Sequence, residues 1–208
     1  MQRLRDVIIC LCLLPFWLPL TLGTALAVWT QLGRPLLFRE ERAGKSGQPF
    51  VLVKFRSMRE SRDAEGILLP DAERLDGFGR FLRASSLDEL PEIWNILRGE
   101  MSWVGPRPLP QRYVERYTPE QRRRLAVRPG LTGWAQVCGR NSTTWEQRLQ
   151  QDVWYVENRS WALDAKILLR TVALVLRRDG ISQQGQATME EFKGTPVPQP
   201  GKPESTPE

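Results

Sequence analysis

The sequence predicts an α+β fold, mainly helical, carried on an N-terminal membrane helix. Three observations predict it. No charged side chain occurs between Asp6 and Arg34; two short alternating runs flank a glycine-containing turn; and several helix-opening signals follow further on. The chain of 208 residues has room for an anchor, one domain of ordinary size and a tail. We divide it into a membrane helix over 1–33, a domain over 34–190 and a disordered tail over 191–208.

The uncharged run comes first. Its core, Val7 to Val28, is roughly 33 Å long as a straight helix, enough to cross a bilayer. Three readings fit. Arg3 and Arg5 ahead of Ala25-Leu26-Ala27 resemble a signal peptide. The run also suits a single span, or a segment that enters the membrane, turns and leaves on the same side. Pro15 and Pro19 would break the helix within lipid, where Thr21 and Thr24 could satisfy freed backbone groups. Both flanks are basic, with Arg34, Arg39, Arg42 and Lys45 following, and positive flanks prefer the cytosol.

Next, 35–38 and 50–55 read as two strands of a small hairpin around the turn 43–48. Residues 59–76 are polar and without clean period, a loop with some helix. Pro91 to Arg98 reads as a helix stopped by Gly99. Val104-Gly105-Pro106-Arg107-Pro108 is excluded from regular structure by its prolines, and 128–133 reads as a second rigid loop. Thr118-Pro119 opens another helix, and Thr144 to Val156 forms one more. Trp161 to Arg178 is apolar with basic ends, fitting an amphipathic helix in an interface or a buried core helix equally. The residues beyond Lys193 have a disordered composition.

Composition narrows the chemistry. A net charge of +6 and a pI near 9.6 favour anionic partners: nucleic acid, anionic lipid or phosphorylated small molecules. The chain has no histidine, so proton transfer falls to carboxylates, lysine, tyrosine or the substrate. Cys10, Cys12 and Cys138 have neither zinc spacing nor a disulfide pattern, which fits a reducing, cytosolic setting. There is no internal repeat, no Walker A loop and no dinucleotide fingerprint; Gly77-Phe78-Gly79 is too short for either.

The most informative stretch runs from Arg80 to Pro91. Ser85 and Ser86 each precede an acid by three residues, making two overlapping capping boxes, so Asp88 and Glu89 could merely decorate a helix start. The same place can attract phosphate, let an ionised aspartate attack phosphorus, and let a carboxylate help hold Mg²⁺. Lys54, Arg56, Arg80, Arg83, Arg107, Arg128 and Arg140 supply cations suited to a diphosphate, although any one of them could be a solvated surface charge.

Lys54-Phe55-Arg56-Ser57-Met58, Ser86-Leu87-Asp88-Glu89-Leu90-Pro91, Val104-Gly105-Pro106-Arg107-Pro108, the run 128–137 and Asp152-Val153-Trp154-Tyr155-Val156 occur in one order. Together they closely resemble the bacterial sugar transferase family, the monotopic phosphoglycosyl transferases, from about Arg3 to about Gly180. The resemblance implies a re-entrant N-terminal helix broken at a Ser-Pro pair, here Leu18-Pro19, with interfacial helices on the cytosolic face of the bacterial inner membrane. It implies transfer of a sugar-1-phosphate from a UDP-sugar to undecaprenyl phosphate with release of UMP, at the first membrane step of glycoconjugate assembly. By the same resemblance Asp88 is the nucleophile and Glu89 its metal partner or base, with Mg²⁺ as cofactor. Lys54, Arg56 and Arg107 hold phosphates, Arg128 or Arg140 contacts the nucleotide, and Arg83 faces lipid headgroups. Cys138 stands where relatives carry asparagine and receives no catalytic role. The chain looks like the minimal catalytic form, without the extra transmembrane helices of larger relatives. Two rivals remain from the residues alone: a basic nucleic-acid- or lipid-binding protein without catalysis, and a secreted non-enzyme. Nucleic-acid binding leaves the uncharged N-terminus unexplained, so no nucleic-acid partner is expected.

Overall fold

The computed structural model describes residues 2–139, 143–177 and 191–194. Helix α1 spans Gln2–Leu32 with Pro15 and Pro19 inside it, and is long and apolar enough to cross a membrane. Only Asp6, Cys10, Thr24 and Val28 are buried along it, while Leu11, Phe16, Leu22 and Leu26 are among many exposed apolar side chains. Four-residue steps within 6–10 and 24–28 give a narrow stripe that packs on the domain.

Both ends of α1 are tied to that domain. Arg3 donates to the carbonyls of Ile96 and Leu97, and Ser102 Oγ donates to Asp6 Oδ1 at 2.8 Å. Beyond the far end, Arg56 donates to the carbonyls of Leu32 and Gly33. In mid-helix, Trp17 Nε1 donates to the Leu90 carbonyl at 2.9 Å. Thr24 Oγ1 bonds the Leu20 carbonyl, whereas the buried Thr21 hydroxyl oxygen finds no protein partner.

The hairpin forms as expected but is longer on its first arm. Strands β1 (Leu37–Ala43) and β2 (Pro49–Phe55) pair antiparallel from Leu37↔Phe55 to Ala43↔Pro49. Phe50 and Leu52 alternate onto the buried face, and the same period of two brings Lys54 to that face. The loop that follows holds α2 (Asp71–Arg74).

Helix α3 (Gly77–Ala84) has no counterpart in the sequence reading. Asp76 caps it, with Oδ1 accepting from Gly79 N–H at 2.8 Å. A Cβ on Gly79 would lie 2.0 Å from the Ser57 carbonyl oxygen, so close approach fixes that glycine. A 3₁₀ turn (Leu87–Glu89) leads into α4 (Glu92–Arg98), which Gly99 closes at φ 84°. Asn95 ties α4 to β2: its amide donates to the Val51 carbonyl at 2.8 Å and its oxygen accepts from Val53 N–H at 3.2 Å.

Strand β3 (Ser102–Val104) leads through 3₁₀ segments and α5 (Pro119–Arg122) to strand β4 (Gly130–Thr132). A Thr118–Gln121 capping box opens α5. The pairing of β3 with β4 is parallel and corrects the expectation of a rigid loop over 128–133 and of no regular structure at Val104. A Cβ on Gly130 would lie 2.1 Å from the Gly105 nitrogen, so the two proline–glycine stretches pack backbone to backbone. Helices α6 (Trp134–Gly139), α7 (Trp145–Asn158) and α8 (Trp161–Arg177) complete the domain, with α7 opened by a Thr144–Gln147 capping box. The last helix is not wholly a core helix: Ile167 is buried while Trp161, Leu169 and Val172 are exposed. The expected disordered tail begins with a packed stretch instead, for Phe192 is buried. The rest of that tail lies outside the described residues.

Candidate active site

The serines ahead of Asp88 do not cap. Ser86 sits at φ 56° and makes no cap bond, while Ser85 Oγ turns back to the Phe81 carbonyl at 2.8 Å. Pro91 displaces the start of α4 beyond both proposed boxes, and the turn Leu87–Glu89 points its acids elsewhere. Asp88 is buried, and Glu89 meets two cations. Lys54 Nζ lies 3.3 Å from Glu89 Oε1 and 3.2 Å from Glu92 Oε1, and Arg107 Nη2 lies 2.5 Å from Glu89 Oε1.

The three carboxyls are driven apart in acidity. Burial, with the Glu89 charge beside it, pushes Asp88 up to about 6. Burial also opposes ionisation of Glu89, but Arg107 and Lys54 outweigh it and hold that group at about 2. Burial pushes Glu92 up to about 7 even with Lys54 alongside. The turn therefore carries one firmly ionised acid between two whose charge is costly. The nearby helix start does not by itself keep Asp88 ionised.

Arg107 is set by its frame. Gly130 N–H donates to the Pro106 carbonyl at 3.0 Å and Gly105 N–H to the Thr132 carbonyl at 2.9 Å. Arg124 Nη2 donates to the Arg107 carbonyl at 2.6 Å, and Arg124 pairs with Asp152 through Nε at 3.0 Å and Nη2 at 2.8 Å.

A cavity of about 810 Å³ opens from this cluster. Glu89, Arg107, Arg124, Arg148 and Asp152 line its polar part, with Arg83 at the rim of the acid turn. Ile9, Leu13, Phe16 and Trp17 of α1 and Leu168 and Val172 of α8 line the rest. Four arginines against two acids leave the lining net positive.

The other expected residues divide. Lys54, Asp88, Glu89 and Arg107 come together. Arg83 lies close enough for its charge to act on Asp88 and donates through Nε to Ser57 Oγ at 2.9 Å. Arg56 is buried and donates through Nη2 to the carbonyls of Leu32 and Gly33 at the end of α1, with Nη1 3.9 Å from Glu60 Oε1. Arg80 likewise bonds the Leu75 carbonyl within its own helix region. Arg128 is half-buried, and its charge acts on Asp6. Pro19 is an interior residue of α1. Arg140 lies outside the described residues. Cys138 is exposed, with Arg170 Nη1 3.8 Å from its sulfur.

Among the described residues no group of three or more acids, histidines or cysteines is placed to hold a metal. Asp88 and Glu89 supply two carboxylates, which suits a cation that takes its remaining ligands from substrate phosphates and water. Glu92 and Arg124 escaped the sequence reading, and Asp152 stood in one of its motifs without a role. A third acid one turn beyond Glu89 was a usable signal for Glu92; nothing in Arg122-Arg123-Arg124 marks which arginine turns inward.

The chain, with this acid–cation turn and one helix long and apolar enough to cross a membrane, belongs to the bacterial sugar transferase family, whose model matches residues 1–178. It is 46% identical over 195 residues to "Uncharacterized sugar transferase EpsL" of Bacillus subtilis, covering 94% of this chain and 96% of that protein. It is 39% identical to a "UDP-glucose:undecaprenyl-phosphate glucose-1-phosphate transferase" of Caulobacter vibrioides, covering 86% and 70%. It is 36% identical to "Undecaprenyl-phosphate galactose phosphotransferase" of Salmonella typhimurium, covering 86% of this chain and 41% of that protein. The chain thus spans less than half the length of the Salmonella relative.

Proposed function

We propose that this chain is a phosphoglycosyl transferase that moves a sugar-1-phosphate from a UDP-sugar to undecaprenyl phosphate on the cytosolic face of the bacterial inner membrane. The observation that carries the reading is the cavity, which runs from the Glu89–Arg107 cluster to apolar walls on α1 and α8. An anionic head on a hydrocarbon tail matches both ends. The relatives' names supply the donor and acceptor classes.

In the first step an Asp88 carboxylate oxygen attacks the sugar-bearing phosphorus, and the bond to the uridylyl phosphate breaks, so UMP leaves with the electron pair. Arg107 and Lys54 trade part of their hold on Glu89 for the diphosphate and stabilise the charge that builds on the leaving oxygen. In the second step a phosphate oxygen of the acceptor attacks the same phosphorus and expels the Asp88 carboxylate. A magnesium ion held by Asp88, Glu89 and the diphosphate would neutralise phosphate charge and favour ionised Asp88.

The re-entrant topology belongs to the same reading. Arg3 and Arg56 tie opposite ends of α1 to one domain, which favours a segment returning to its side of entry over a span.

The test is UMP release by the full chain from a panel of UDP-sugars, with Mg²⁺ and undecaprenyl phosphate, beside Asp88→Asn. Turnover with one sugar, lost in the variant, supports the reaction and names the sugar. Folded, membrane-bound protein with no release from any donor would overturn it, as would full activity in Asp88→Asn.

A further inference from the structure

The described C-terminal residues 191–194 pack against residues 112–117 and 145 of the domain. Phe192 is 1% exposed, its ring centroid 5.7 Å from Tyr113, 5.9 Å from Tyr117 and 5.5 Å from Trp145. Phe192 N–H donates to Tyr113 Oη at 3.2 Å, and Arg116 donates to the Phe192 carbonyl. Glu191 accepts from Arg112 at 3.1 Å and from Arg116 at 2.9 Å. A phenyl ring closing an aromatic box is a large burial for so short a segment.

The box adjoins the cavity. Trp145 and Leu149, which pack in the same cluster, line the cavity wall. Tyr117 Oη accepts from Arg124 Nη1 at 3.2 Å, and Arg124 in turn donates to the Arg107 carbonyl. A continuous path therefore runs from Phe192 through Tyr117 and Arg124 to the backbone of Arg107, whose guanidinium meets Glu89.

We propose that residues 191–194 are a clasp and that Phe192 is a positioning residue, fixing Tyr117 and Arg124 so that Arg107 is held in register for the donor diphosphate. The proposal rests on the reading of Arg107 as a diphosphate ligand. The residue touches no substrate; it acts through the ring and the guanidinium beneath it. A Tyr117 side chain free to swing would leave Arg124 Nη1, so that Asp152 alone would hold the guanidinium whose Nη2 donates to the Arg107 carbonyl. Misplacement of a substrate-holding group by about 1 Å can cost about a hundredfold in rate.

The experiment compares full-length Phe192→Ala, Phe192→Leu, Tyr117→Phe and the double variant Phe192→Leu/Tyr117→Phe. Amide hydrogen exchange is read without substrate, and UMP release is read against donor concentration. Phe192→Ala should speed exchange in 105–107 as well as 113–117, and lower kcat/KM by about 10–100-fold, chiefly through donor KM. Phe192→Leu, which refills part of the box and covers the case in which the alanine variant does not fold, should recover part of both. In the double variant the two KM effects should fail to multiply. Faster exchange confined to 113–117, an unchanged donor KM, or independent effects in the double variant would each overturn the clasp. Inactive wild-type protein would count against the transferase reading, and the exchange data would still decide whether Phe192 controls the Arg107 segment.

Discussion

Arg124 and Asp152 have side chains 2% and 7% exposed and share two hydrogen bonds, whereas Arg107 and Glu89, lining the same cavity, are 40% and 18% exposed and share one. The sealed pair has its remaining donors engaged by Tyr117 and the Arg107 carbonyl. The open pair is joined from one side only, and Lys54 competes for the same carboxylate oxygen. A desolvated pair gains nothing from opening, because each charge would be left stranded. A half-exposed pair can exchange its carboxylate for a phosphate with little change in burial. The first is a device of the fold and the second, on the proposed function, a device of the chemistry.

The largest effect should come from Asp88→Asn beside the open pair. UMP release should fall by about a thousandfold or more. Thermal unfolding at pH 7.5 should show the melting temperature unchanged or raised, since asparagine removes a buried charge. A large loss of stability would mean that Asp88 belongs with the sealed pair.

Asp152→Asn should invert that pattern. Stranding Arg124 should cost about 3–5 kcal/mol, read by denaturant unfolding. Arg107→Lys keeps the charge but loses the fork, so donor KM should rise about tenfold with stability within about 0.5 kcal/mol. Equal destabilisation in these two variants would erase the distinction between the pairs.

Acidity sharpens the comparison further. On the proposed mechanism Asp88 attacks as the carboxylate, and in the metal-free protein that carboxylate should take up its proton as pH falls through about 6, read as the infrared carboxyl band lost in Asp88→Asn. A carboxylate still ionised at pH 4.5 without metal would contradict the burial of this group. Glu92 gives a smaller effect of the opposite kind, on stability. Its folded-state acidity is weakened to about 7 from an ordinary 4.5, so the folded state binds the proton more tightly than the unfolded one. Its contribution is favourable below about 4.5 and is lost as pH rises towards 7. Glu92→Gln, which imitates the protonated form, should therefore stabilise on the order of 1 kcal/mol more at pH 8 than at pH 5. A shift in the other direction would show that its pairing with Lys54 outweighs its burial.

Local patterns were legible in the sequence where the structure is local. The hairpin followed from alternation around 43–48, the end of α4 from Gly99, and the start of α7 from Thr144. The β3–β4 pairing was hidden because it joins distant proline–glycine stretches that no local period marks. Helix α3 was hidden by Gly77 and Gly79, both poor helix formers, of which Gly79 is required by the close approach of the Ser57 backbone. At the site, the motif order pointed to Lys54, Asp88, Glu89 and Arg107. It could not reveal that Arg56 serves α1, that the serine pair does not cap, or that a phenylalanine in a polar tail is core. The first and last depend on contacts across tens of residues, the second on the left-handed backbone of Ser86.

The tying of both α1 ends to one domain has a mechanical side. On the proposed re-entrant topology, lipid displaced by its exposed leucines and phenylalanine would come from a single leaflet. Extra area in one leaflet alone acts as a wedge, so each bound copy would press its own leaflet towards positive curvature. Such a protein would settle more readily on small, tightly bent vesicles with packing gaps than on flat sheets of the same lipid.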